Sequence, residues 1–178
     1  MKKAYFIVGA ESSGTLLITR AFCSLGVFGD SGHSQQMDNL VFEGRPHQIV
    51  FRRSCPHGDQ WPDLANLAHR MIDSGYEVIP VLVLRDEIHN IESQVRKGHA
   101  STHRIAHDTI HHAIDKIFRD FSKIGLYPVT VRFESFIRSA EVRSVFFRSL
   151  SLPAPEMEFH DSAAKYRTGQ DPVIISHL

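Results

Sequence analysis

Short apolar runs and helical stripes alternate along the chain. Residues 5–8 are apolar and β-prone, residues 9–14 form a turn of small residues, and Leu16, Leu17, Ala21, Phe22 and Leu25 recur at helical spacing. This predicts strand, glycine loop, helix. Residues 27–48, rich in Gly, Ser, Asp, Asn and Gln, read as a long connection and a candidate substrate lid. Ile49, Val50 and Phe51 predict a second strand, broken by Arg52-Arg53-Ser54-Cys55-Pro56-His57-Gly58. Leu64, Leu67, Ala68, Met71 and Ile72 give a helical stripe that starts at Pro62 or Asp63 and stops at Gly75. Residues 78–84 are almost continuously apolar, as suits a central parallel strand covered on both faces. Ile88, Ile91 and Val95 predict a helix over about 86–97. A longer one over 102–123 carries Ile105, Ala106, Ile110, Ala113, Ile114, Ile117, Phe118 and Phe121 on one broad face. A last strand over 128–133, with Val129 and Val131 on one face, precedes a helix over 136–150 with Ile137, Val142, Val145 and Phe146 inward.

Alternating strands and helices imply an α/β protein, a three-layer α/β/α sandwich with a parallel sheet. No linker or repeat divides the 178 residues, so one domain over 1–178 is expected. Ligands of such folds lie beyond the carboxyl ends of the strands. Residues 9–15, 52–57, Arg85 onward and Glu134 all fall there. A formal net charge of zero supplies no basic field for nucleic acid or an anionic membrane. The two cysteines, Cys23 and Cys55, make neither a disulfide framework nor a metal motif, and a cytoplasmic location is the expectation. Lys2 and Lys3 precede an apolar run too short for a signal peptide, and no run has the length of a membrane span.

In a strand–glycine loop–helix unit, backbone N–H groups close around a phosphate and the helix dipole adds positive charge behind it. Gly9-x-x-x-x-Gly14-Thr15 resembles the Walker A pattern of P-loop proteins, but its lysine is absent. Ser13-Gly14-Thr15 after an N-terminal strand resembles the 5′-phosphosulfate loop of the sulfotransferase family, whose cofactor is PAPS (3′-phosphoadenosine 5′-phosphosulfate). Val83-Leu84-Arg85-Asp86-Glu87 running on to Ser93 resembles the family's 3′-phosphate motif, an arginine ending a strand and a serine on the next helix. Physically, Arg85 can fork onto phosphate oxygens while Ser93, about two turns along, donates a hydroxyl. The resemblance implies a P-loop nucleoside triphosphate hydrolase-like fold that transfers sulfonate to an acceptor hydroxyl or amine. The cofactor contacts it implies are Gly9, Glu11, Ser12, Ser13, Gly14, Thr15, Leu16, Arg85 and Ser93. Lys165-Tyr166-Arg167-Thr168-Gly169 resembles the family's late basic segment and adds Arg167.

Sulfonyl transfer needs a base near neutral pKa and cations for the charge that develops. His57 is the candidate base and Arg53 the candidate stabiliser, both after the second strand; His33, His47 and His103 are weaker candidates for the base. The family's loop lysine corresponds here to Ser12, and Arg20, Arg52, Arg53, Lys165 or Arg167 are candidates to replace its charge. Two other readings stay open. Asp86-Glu87 after an apolar strand suits a Walker B acid pair holding Mg²⁺ in a kinase or NTPase, and a nucleotide-binding module without turnover needs no base. Among the twelve histidines, His99, His103, His107 and His111 recur every four residues, which places neighbours on one helix face. A third ligand is not visible in the sequence. The expectation is a solvated polar face and no metal.

Overall fold

The computed structural model describes residues 2–29 and 46–156. Most of the candidate lid, with His33, lies outside the described residues, as do Lys165 and Arg167. The elements run β1 (Lys2–Gly9), α1 (Thr15–Ser24), β2 (Phe28–Gly29), β3 (Gln48–Ser54), α2 (Leu64–Asp73), β4 (Tyr76–Leu84), α3 (Glu87–Arg96), α4 (His103–Ser122), β5 (Val129–Arg132), α5 (Phe133–Arg138) and α6 (Ala140–Ser149). The protein is α/β. Among the described residues, five strands form one all-parallel sheet in the order β2-β3-β1-β4-β5.

Strand alternation divides the core in two. Ala4, Phe6 and Val8 of β1 face α2 and α4, where they meet Leu64, Met71, Ile110, Ala113, Ile117 and Phe121. Tyr5 and Ile7 face α1, α5 and α6 through Ile18, Phe22, Phe136 and Phe147. Helices therefore cover both faces of the sheet, and β1, buried from Ala4 to Val8, is its centre. The chain leaves β1 toward β3 and β2 but leaves β4 toward β5. The carboxyl ends of β1 and β4 thus flank a topological switch point, the usual ligand crevice of open parallel sheets.

Five local expectations are corrected. The second predicted strand continues through Ser54, so Arg52 and Arg53 belong to β3, paired with Ile7 and Val8. Phe133 begins a helix instead of ending a strand, and the single helix expected over 136–150 is two, α5 and α6, broken at Ser139. There the Ser139 hydroxyl accepts from the Val142 N–H at 3.2 Å. Buried Arg143 donates to the carbonyls of Phe136 (2.8 Å) and Ile137 (3.2 Å), satisfying the end of α5. Burial works against that charge and lowers the Arg143 pKa from its usual value. The break also turns Val145 outward, leaving it exposed while Phe147 is buried. Finally, the apolar face of α4 is narrower than its sequence stripe, with Ile105 and Phe118 largely exposed.

Candidate functional site

The glycine loop stands at the switch point, and its glycines are required by close packing. A Cβ on Gly9 would lie 2.8 Å from the Val83 carbonyl oxygen and against the Ser13 hydroxyl. Gly14 has φ +98°, and a Cβ there would meet the Phe133 ring. The space beside Gly14 is thus filled by an aromatic side chain. Between them the chain turns through Ser12 at φ 64°, and the Ser13 N–H donates to the Ala10 carbonyl at 3.1 Å. Thr15 then opens α1. Among the described residues no side chain caps this helix, and no acid stands in its first turn. The N–H groups of Gly14, Thr15 and Leu16 have no acceptor among the described residues. Orphan donors at a helix start, with the dipole behind them, attract an anion.

The loop's carbonyls are held from α3 and its approach. Arg85, just beyond β4, sends Nη1 to the Ser12 carbonyl at 2.8 Å. Its side chain is only 7% exposed, its Nε lies 3.8 Å from the Glu134 carboxylate, and its guanidinium stands 5.3 Å from the Phe133 ring centroid. Gln94 Nε2 donates to the Glu11 carbonyl at 3.0 Å, and Lys97 Nζ lies 3.5 Å from the Ser12 hydroxyl. Ser93 is buried on the same inner face of α3 as Asn90 and Gln94. Two buried polar atoms of this neighbourhood, Ser13 Oγ and Asn90 Oδ1, have no hydrogen-bond partner among the described residues. Buried polar atoms ordinarily have one.

The carboxylate of Glu11 is held from two sides. It accepts from the Gly58 N–H at 3.0 Å on one side and lies 3.3 Å from His99 Nδ1 on the other. This brings the turn after β3 to the loop's edge. His57 opens that turn, its N–H donating to the Gln60 carbonyl at 2.8 Å, and its side chain is exposed. Arg53 is placed differently from the expectation. It lies inside β3, 6% exposed, on the sheet face shared with Ile49 and Phe51, and so is not a loop residue beside His57. Cys55, next to the same turn, is fully buried; burial pushes its thiol up to about 12, so at neutral pH it stays protonated and is no nucleophile.

The structure therefore gathers Gly9, Glu11, Ser12, Ser13, Gly14, Thr15, Leu16 and Arg85 at one crevice, with Ser93 on the adjoining helix and His57 at the rim. Arg167 lies outside the described residues. Asn90, Gln94, Lys97 and Phe133 were not singled out from sequence; Glu134 was placed at the carboxyl ends of the strands and His99 in the histidine series, neither as a partner of this loop. A signal existed for the first three. Asn90, Ser93, Gln94 and Lys97 recur three or four apart and define a polar helix face, whereas the helix over about 86–97 is predicted from Ile88, Ile91 and Val95 alone. Ile88 is in fact 68% exposed. The chain matches no protein-family model, and a comparison with curated proteins returns no match.

Proposed function

We propose that the protein binds PAPS at this crevice and transfers its sulfonate to an acceptor hydroxyl or amine, as a P-loop protein resembling sulfotransferases. The observation that carries the reading is the meeting of an uncapped, acid-free helix start with a buried arginine at the switch point between β1 and β4. The loop N–H groups would hold the 5′-phosphosulfate. Arg85, now engaged with Ser12 and Glu134, would exchange the carboxylate for the 3′-phosphate, with Ser93 on the next helix. Lys97 offers a reply to the missing loop lysine: its ammonium reaches the side chain of Ser12, the residue standing at the lysine's position, from a different element. In the reaction, the acceptor oxygen or nitrogen attacks sulfur while His57 takes its proton. The bond from sulfur to the 5′-phosphate oxygen breaks, and 3′,5′-bisphosphoadenosine leaves with the electron pair.

One observation weighs against the Mg²⁺-dependent alternative. The Asp86 carboxylate, where a Walker B acid would hold metal, accepts from the His89 N–H at 3.1 Å and caps α3. The deciding experiment is calorimetry with 3′,5′-bisphosphoadenosine, AMP and ATP, each with and without Mg²⁺. Tightest binding of bisphosphoadenosine, indifferent to Mg²⁺, is expected. ATP binding that requires Mg²⁺ would replace this reading with a kinase or NTPase. Where an acceptor is sulfonated, His57→Ala should slow turnover by about 10²- to 10⁴-fold with cofactor affinity little changed; tight bisphosphoadenosine binding with no acceptor sulfonated would leave a binding module.

A further inference from the structure

The histidine series does not form one continuous face. His99 precedes α4 and lies on Glu11, while His107 and His111 stand one turn apart within α4, their rings 4.4 Å apart between centroids. Opposite them is Glu87, the first residue of α3. Its Oε1 lies 2.9 Å from His111 Nε2 and 3.3 Å from His107 Nε2. One ligand atom from each of the three residues falls within a 4.8 Å span.

We propose that Glu87, His107 and His111 form a binding site for a divalent transition-metal ion, with zinc the best fit. Two imidazoles and a carboxylate are a recognised zinc donor set, and ligand atoms around a tetrahedral zinc with bonds of about 2.0–2.2 Å stand about 3.3 Å apart. The two carboxylate–imidazole separations already lie close to that spacing, and the three ligand atoms all lie within 4.8 Å of one another, so side-chain rotation within the cluster brings them onto one ion. A further contact supports the assignment. His107 Nδ1, the nitrogen that faces away from Glu87, lies 3.0 Å from Asp108 Oδ1. A carboxylate on the distal nitrogen of a metal-bound histidine fixes its tautomer and raises its basicity, so Asp108 is a positioning residue for the metal. The three ligands are half-exposed, their side chains 49–57% accessible. An ion can therefore enter from solvent, and a fourth position faces water.

Occupancy would bolt the first turn of α3 to α4 two residues beyond Arg85. The metal is thus proposed as a brace for the segment that reaches the glycine loop, and it does not depend on which ligand the loop takes.

The test uses the full-length chain freed of any affinity tag and stripped with a chelator. Zinc is titrated by calorimetry, and unfolding is followed by heat with and without it. One tight site and a zinc-dependent rise in Tm are expected. The His107→Ala/His111→Ala double variant and Glu87→Gln should each lose the tight site and the zinc-dependent rise, and Asp108→Asn should weaken binding by about 10- to 100-fold. His69→Ala, at an exposed position of α2, should bind as the parent does. Because the readout is the shift caused by zinc in each variant, a general loss of stability does not imitate the result. Absence of a tight site in the parent, or an unchanged site in the double variant, overturns the proposal.

Discussion

Two helices begin at the carboxyl edge of neighbouring central strands, and they begin in opposite ways. After β1, α1 starts at Gly14 with no side-chain cap among the described residues and no acid in its first turn. After β4, α3 starts with Asp86 accepting from the His89 N–H and with Glu87 in its first turn. The second helix has answered its own dipole; the first has not. A helix left open at a buried crevice keeps its attraction for an external anion, while a helix closed by its own carboxylates is a fixed wall that can present other groups. Here α3 presents Gln94 and Lys97 to the loop, and Arg85 reaches the same loop from the residue before the Asp86 cap.

The contrast can be broken most forcefully at Gly14. Gly14→Val combines a left-handed backbone with an overlap against the Phe133 ring, and it should lower folding stability by about 3 kcal/mol or more, seen as a reduced urea midpoint. Loss of nucleotide binding should accompany that instability; a variant of unchanged stability would show that Phe133 yields easily. Next in size, Arg85→Ala should weaken bisphosphoadenosine by about 2 kcal/mol more than AMP in calorimetry. Equal losses would mean that Arg85 only anchors Ser12. Removing the cap that closes α3 is a smaller perturbation. Asp86→Ala should cost about 1 kcal/mol of stability, with anion affinity at the α1 start preserved; if affinity rises or falls with it, the two helix starts are not independent.

The smallest effect at neutral pH comes from the tip of the third strand. Cys55 keeps its thiol proton up to about 12, against an ordinary value of 9.0. Below 9 both states carry the proton and Cys55 adds no pH dependence. Above it the unfolded chain gives up the proton while the folded chain retains it, so stability falls as pH rises, by about 1.4 kcal/mol per pH unit. Tyr5, whose pKa is also raised by burial and by Glu77, acts in the same direction at higher pH. Urea midpoints at about pH 8 and about pH 10.5 should differ, and less so in Cys55→Ala. Equal slopes for parent and variant would assign the alkaline loss elsewhere.

Much of this was legible in the sequence, for a physical reason. Apolar runs such as Tyr5 to Val8 and Val81 to Val83 are buried on both sides, and a parallel sheet leaves few other places for them. The glycine loop was legible because only a few backbone shapes join such a strand to a helix. The loop's supports were not. Gln94 and Lys97 act across more than eighty residues of chain, and the sequence gives no register between an α3 side chain and a loop carbonyl. Arg53 was misplaced because a charged pair after Phe51 reads as a strand end, whereas the pairing of β3 with β1 continues to Ser54. The break at Ser139 hides in a continuous apolar stripe and depends on Arg143, which reaches back to close α5. Glu87 joins His107 and His111 only through the packing of α3 on α4.

The central position of β1 also bears on how the chain is made. Its partners are the strand starting at Gln48 and the strand starting at Tyr76, and its whole apolar run from Ala4 to Val8 ends up buried between them. Tyr76, opposite Lys2, is synthesised some 70 residues later, about 4–15 s at ribosomal speeds of about 5–20 residues per second. Before the strand from Gln48 is made the run from Ala4 to Val8 has neither neighbouring strand, and until the strand from Tyr76 follows it has only one, so burial of this early segment waits on residues far along the chain.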